Sequence, residues 1–267
     1  LAIPALGFAQ NYDLPNPDNA PAPCHPVPSE RQILWNETEF YAFFHYGMNT
    51  FTGLEWGFGN EAESRYAPKG KPNPEQWVTS VKAAGMNGGI AVVKHHDGFC
   101  LWPTATTEHS IKKSPYKNGN GDILREFVDA CHDFDIAVGI YISPWDRNSA
   151  YYATEKYVEI YHAQIKELLG GDYGDVFEMW FDGANGGDGW YGGAKEHRKI
   201  GVAGKYYRFD EVFRSVRTLQ PKVTIFSGES DESDFRWPGN ERGILGPDSR
   251  ATVVTTGGFA NRKYGNP

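Results

Sequence analysis

Cysteine is scarce in this 267-residue chain. Cys24, Cys100 and Cys131 are an odd number with no CxxC spacing, which indicates neither a disulfide framework nor a zinc ribbon. Cys131 falls in an apolar helical pattern and reads as a small core residue. Basic charge is also short: 26 Lys and Arg stand against 34 Asp and Glu, a formal net charge of −8. Nucleic acid and anionic lipid both need a basic face, so neither is an expected partner. There is no internal repeat and no apolar run long enough to span a membrane. Hydrophobic residues, at 40%, suffice for a sizeable core and exclude a disordered chain. Aromatic residues are plentiful at 15%, with 8 Trp and 15 Tyr, so their placement becomes the informative question.

The first ten residues, LAIPALGFAQ, resemble the tail of a secretory signal with a small-residue cleavage site after Ala9. Export to a periplasmic, cell-surface or extracellular site is therefore expected. Residues 11–30 are rich in Pro and Asn, so residues 1–30 read as a signal remnant and extended lead-in. Residues 31–267 read as one domain. Apolar, β-rich runs at 39–46, 88–97, 135–144, 175–184 and 222–229, with a weaker one at 251–256, predict strands. Helical patterns occupy 75–85, 122–134, 154–169 and 208–219. Asn73-Pro74 and Asp122 supply start signals, and Gly170-Gly171 and Pro221 supply stops. Alternating strands and helices with continuously apolar strands predict an α/β fold whose parallel sheet is covered on both sides.

The helix-to-strand links are tight and the strand-to-helix links, at 47–73, 97–121, 145–153 and 185–206, are long. Active sites of such sheets form from loops at the C-terminal strand ends. Those ends carry His45-Tyr46-Gly47, Lys94-His95-His96-Asp97, Tyr141 to Asp146, Trp180-Phe181-Asp182 and Glu229. Six Trp, at 56, 102, 145, 180, 190 and 237, fall at these ends or in the loops after them. A cleft of aromatic rings, imidazoles and acids suits a sugar, with its apolar C–H faces and polar rim.

Three chemistries compete for that cleft. A metal-dependent hydrolase would use His45, His95, His96 and Asp182, but neighbours on a strand point to opposite faces unless the strand is ending there, and HxH and HExxH are both absent. A retaining glycosidase needs two carboxylates. Asp182, after an apolar strand, suits the nucleophile, while Glu229, Glu232 and Glu241 all remain open as the acid. A non-catalytic carbohydrate-binding domain would use the Trp and His residues alone.

The strings FHYGMNTFTGLEWG (44–57), KHHDGFCLWPT (94–104), SPWDRNS (143–149), FEMWFDGAN (177–185) and RWPGNERG (236–243) resemble the α-L-fucosidases of glycoside hydrolase family 29. The EWG, SPWDRN and RW-x-GNE forms resemble the branch preferring α-1,3 and α-1,4 linkages. The resemblance implies a (β/α)8-like (TIM) barrel that removes terminal fucose from an oligosaccharide or glycan, with no metal and no cofactor. It implies Asp182 as nucleophile and Glu241 as general acid/base. It also implies His45, His95, His96, Tyr141 and Trp180, with Glu55, Trp56 and Arg236, as fucose-binding residues. Five strong strands and one weak one are fewer than the family's barrel and C-terminal β-sandwich require. The C-terminal part of the barrel and any β-sandwich are therefore expected to be missing.

Overall fold

The computed structural model describes residues 26–227 and 233–235. The chain begins with α1 (Glu30–Thr38), β1 (Tyr41–Phe44), α2 (Asn49–Thr52), α3 (Pro74–Ala83) and β2 (Gly88–Lys94). It continues through α4 (Ile123–Asp133), β3 (Ala137–Ile142), α5 (Glu155–Leu169), β4 (Glu178–Phe181), β5 (Gly187–Gly189) and β6 (Glu196–Arg198). The last described elements are α6 (Ala203–Tyr206), α7 (Phe209–Leu219) and β7 (Thr224–Ser227). Each of the five strong strand runs holds a strand shorter than the run among the described residues. The weak run at 251–256 lies outside the described residues.

The helix signals act as their chemistry requires. Asn73 Oδ1 accepts the Gln76 N–H at 3.1 Å, with Pro74 in the first turn, and Asp122 Oδ1 accepts the Arg125 N–H at 2.9 Å. The lead-in, in contrast, closes one residue early. Ser29 and Gln32 form a capping box that starts α1, a helix with no fully buried residue and hence no apolar stripe to betray it.

The main sheet runs β1-β2-β3-β4-β7 with every pairing parallel, so each crossover moves to the next strand in the same direction. This order corrects the expectation that helices cover both faces. Right-handed crossovers that never reverse direction deliver every helix to one side. Val78 of α3, Leu124 and Phe127 of α4, Tyr157 and Ile165 of α5, and Val212 and Val216 of α7 share one core. From the sheet, that core takes Ala91, Val93, Ile140, Ile142, Met179, Phe181 and Ile225. The opposite face carries Ile90, Val92 and Tyr141, packed with Tyr41, Phe177 and Trp180. α1 lies at the N-terminal end of that face, where Trp35 Nε1 donates to the buried Glu178 carboxyl at 2.8 Å.

Candidate active site

His45, His95, Ser143 and Asp182 are each the first residue after β1, β2, β3 and β4, so the parallel sheet brings them to one mouth. Adjacent residues of a strand should diverge, yet the His95 and His96 rings stand 4.2 Å apart, inclined at 39°. The strand has already ended at Lys94, and the β2–β3 register slips between Val92 and Lys94. The slip also sends Lys94 toward the helices. Its fully buried Nζ donates to Gln164 Oε1 at 2.9 Å and to the Tyr157 hydroxyl at 3.1 Å, and lies 3.5 Å from Asp146 Oδ2. Asp146 Oδ1 accepts the N–H groups of Asn148 and Ser149, shaping the turn that carries Trp145.

His96 is buried; its Nδ1 lies 2.6 Å from Ser143 Oγ and its Nε2 faces Asp182 Oδ1 at 3.9 Å. Asp182 Oδ1 accepts the Ala184 N–H at 2.7 Å. His95 Nδ1 lies 3.3 Å from Asn49 Nδ2, and its ring stacks at 5.9 Å on Tyr141 and stands 5.6 Å from His45. The Tyr141 hydroxyl is buried with no hydrogen-bond partner among the described residues. Trp56, 44% exposed, closes the other side with its ring edge-on to His96 at 5.2 Å and to Trp145 at 5.7 Å. Trp180 stacks on Phe226 at 3.7 Å and lines the inner face beneath.

Burial dominates the electrostatics. It pushes His95 and His96 down to about 3, assisted by neighbours that disfavour a second positive charge: the His96 and His45 rings beside His95, and the Arg147 and Lys94 cations beside His96. Partial burial lowers His45 too. All three imidazoles are neutral at pH 7 and can each donate once and accept once. Burial, then the Asp182 carboxylate, holds the Tyr141 phenol well above its ordinary value. Asp97, buried beneath the mouth with one oxygen accepting the Phe99 N–H, is pushed up by burial to about 7.

The EWG loop is pressed onto this mouth. Gly57 (φ +66°) has no room for a Cβ, which would meet Asp97 Cβ at 2.9 Å, and one at Gly59 (φ +87°) would meet the Arg147 carbonyl carbon at 2.3 Å. Arg147 donates to the Gly57 and Asp188 carbonyls, and Asn148 Nδ2 to that of Gly59. These bonds tie the 47–73 loop, the SPWDRNS turn and the β5–β6 hairpin into one rim.

The structure therefore gathers Asp182, His45, His95, His96, Tyr141, Trp56 and Trp180. Glu55 is exposed; its side chain makes no hydrogen bond or ion pair among the described residues, and only its carbonyl takes part, accepting from Asn49 Nδ2 at 2.5 Å. Arg236, Trp237, Glu241, Glu229 and Glu232 lie outside the described residues. Trp102 departs from the expected cleft: it is buried against α5, donating to Glu167 at 2.9 Å. Asn49, Ser143, Arg147 and Asn148 build the site without having been singled out, because their partners lie across loops distant in sequence. Among the described residues no group of three or more His, Cys, Asp or Glu side chains is placed to hold a metal ion. A roomier hollow of about 830 Å³ lies at the opposite end of the sheet, between α1 and the links preceding β3, β4 and β7, away from the imidazoles.

Neutral hydrogen-bonding imidazoles, a strand-end carboxylate and aromatic walls form a mouth that can accommodate a hydroxylated ring. The profile of the alpha-L-fucosidase family matches residues 31–241. Alpha-L-fucosidase 1 of Arabidopsis thaliana is 40% identical over 227 residues, 85% of this chain and 42% of that protein. A putative alpha-L-fucosidase 1 of Oryza sativa subsp. japonica is 39% identical over 244 residues, 89% of this chain and 44% of that one. The crystal structure of a glycoside hydrolase 29 family member from an unknown rumen bacterium superimposes with a TM-score of 0.86 at 46% identity, covering 91% of this chain and 44% of that one. A Ruminococcus gnavus GH29 fucosidase in complex with fucose superimposes with a TM-score of 0.72 at 32% identity, covering 88% and 50%. The chain thus spans less than half the length of the two curated relatives named. It belongs to the alpha-L-fucosidase family.

Proposed function

We propose that this chain is the catalytic part of an exported, retaining α-L-fucosidase that removes terminal fucose from α-1,3- and α-1,4-fucosylated oligosaccharides or glycans. The observation that carries the reading is the Asp182 carboxylate at the end of β4, opposite a pair of neutral imidazoles and near the buried Tyr141 hydroxyl. The in-order parallel strands with helices on one side support a (β/α)8-like barrel of which these are five consecutive strands. The signal-like N-terminus supports export, and the EWG, SPWDRN and RW-x-GNE strings support the linkage preference.

Asp182 attacks the anomeric carbon, forming a C–O bond as the glycosidic bond breaks. Glu241, assigned by its GNE motif, gives its proton to the departing oxygen. Glu241 then takes a proton from water, which attacks the same carbon and releases Asp182. No metal or cofactor is invoked. Retention requires the Asp182 and Glu241 carboxyl groups about 5–5.5 Å apart, against about 6.5–9.5 Å for inversion. Following the first product anomer by proton NMR tests this: α-fucose is expected, and β-fucose would replace double displacement by inversion. A non-catalytic binding domain would release no fucose from α-1,2, α-1,3, α-1,4 or α-1,6 substrates. For the linkage preference, kcat/KM on a Lewis-type trisaccharide should exceed that on 4-nitrophenyl fucoside, because contacts to the other sugars act in the transition state. Equal values would remove the branch assignment alone.

A further inference from the structure

The two central imidazoles are neighbours in sequence, but their outer nitrogens meet opposite kinds of partner. Ser143 Oγ has one hydrogen, and the Trp145 carbonyl 2.8 Å away can only accept it. The His96 nitrogen 2.6 Å from Oγ must therefore carry the other hydrogen, so His96 is protonated at Nδ1 and bare at Nε2. For His95 the logic reverses. Asn49 Nδ2 is held by the Glu55 carbonyl, which also only accepts, so the amide cannot be turned over without opposing two oxygens. Its second hydrogen points at His95 Nδ1, making that nitrogen the acceptor and leaving the proton on Nε2.

We infer that Asn49 and Ser143 are positioning residues that lock His95 and His96 in opposite tautomers, so that the pair offers a ligand one N–H donor and one bare nitrogen. Resting on the proposed function, the group recognised is a sugar hydroxyl, which can accept from His95 and donate to His96 at once. The 3.9 Å between His96 Nε2 and Asp182 Oδ1 strengthens this. Both atoms are acceptors, and a hydroxyl hydrogen satisfies them where an ether, a methoxyl or a fluorine does not. Burial lowers both rings to about 3, which keeps them neutral at mildly acidic pH.

The direct test uses the protein labelled with 15N-histidine and long-range proton–nitrogen NMR, without substrate. His96 should show a protonated Nδ1 and bare Nε2, and His95 the opposite; two rings of the same tautomer would overturn the inference. Ser143→Ala should release His96 into a tautomer mixture and Ser143→Thr should restore it. Asn49→Asp, which turns the donor into an acceptor, should switch His95 to protonated Nδ1; an unmoved His95 spectrum in a folded variant would contradict the assignment. Should either variant not fold, the wild-type spectrum still decides.

Titration with L-fucose and analogues carrying fluorine for one hydroxyl adds the ligand arm. At least one position should lose about tenfold or more in affinity, and undiminished binding of every analogue would remove the acceptor role of His96. Absence of any L-fucose binding would strike the proposed function while leaving the tautomers as measured.

Discussion

The two sides of the β2–β3 strand ends handle buried charge differently. On the helix side, Lys94 is buried and completely satisfied by Asp146, Tyr157 and Gln164, with the Tyr157 and Tyr161 rings 5.4 Å away. On the mouth side, a few residues on, the Tyr141 hydroxyl has the Asp182 carboxylate nearby but no well-formed hydrogen bond among the described residues, and His96 Nε2 faces another acceptor. The Tyr161 hydroxyl on the helix side is likewise without a partner among the described residues, so what sets the mouth apart is the His96 nitrogen facing the Asp182 carboxylate, where a ligand hydroxyl would fit between them. One polar cluster holds the loops; the other, on the proposed function, meets the sugar hydroxyls.

The largest expected effect is on the mouth. Asp182→Ala should reduce turnover by at least about 10³-fold while L-fucose binding remains measurable, because the hydroxyl contacts survive. Kinetics together with calorimetric titration check both halves. On the helix side the loss should appear as stability instead. Lys94→Met strands Asp146 as an unpaired buried carboxylate and should cost about 3–5 kcal/mol in urea unfolding. A shift below about 1 kcal/mol would show that the ammonium contributes little, and the contrast between the two sides would collapse.

At the far end of the sheet, burial raises Glu178 from 4.5 to about 7. Its folded form therefore holds a proton that the unfolded form releases, so stability falls as pH rises from about 4.5 to about 7 and is flat above. Glu178→Gln, which can still accept from Trp35, should flatten that fall and gain on the order of 2–3 kcal/mol at pH 8. Asp97 acts in the same direction, so part of the slope should persist. Melting temperatures at pH 4.5 and pH 8 read the difference. The smallest effect lies outside both networks: Asp122→Ala should cost about 1–2 kcal/mol through loss of the α4 cap and of the bond from the Tyr173 hydroxyl, with activity unchanged.

What the sequence reveals follows the same division. α3 and α4 are legible because Asn73-Pro74 and Asp122 announce them, and the strands because their apolar runs are continuous. The β5–β6 hairpin is not, since Gly187-Asp188-Gly189 has no strand character of its own and is held by the Tyr191 and Trp145 contacts. One-sided helix cover depends on strand order, which no local pattern states. Within the site, Asp182 and the histidines stand out by residue type and strand-end position. Alternation separates His95 from His96 only while a strand continues, and the sequence leaves open that β2 stops at Lys94. Asn49 and Ser143 escape notice because a tautomer is set by a contact between loops, not by a motif.

The measurement closest to the central claim is chemical rescue of Asp182→Ala with sodium azide, a small anion that can occupy the space left by the carboxylate. With an activated aryl fucoside the variant should regain turnover and release β-fucosyl azide, the product of a single attack from the face Asp182 normally uses. Near-wild-type hydrolysis by the folded variant without azide, or azide product of α configuration, would contradict the assignment of Asp182 as the nucleophile.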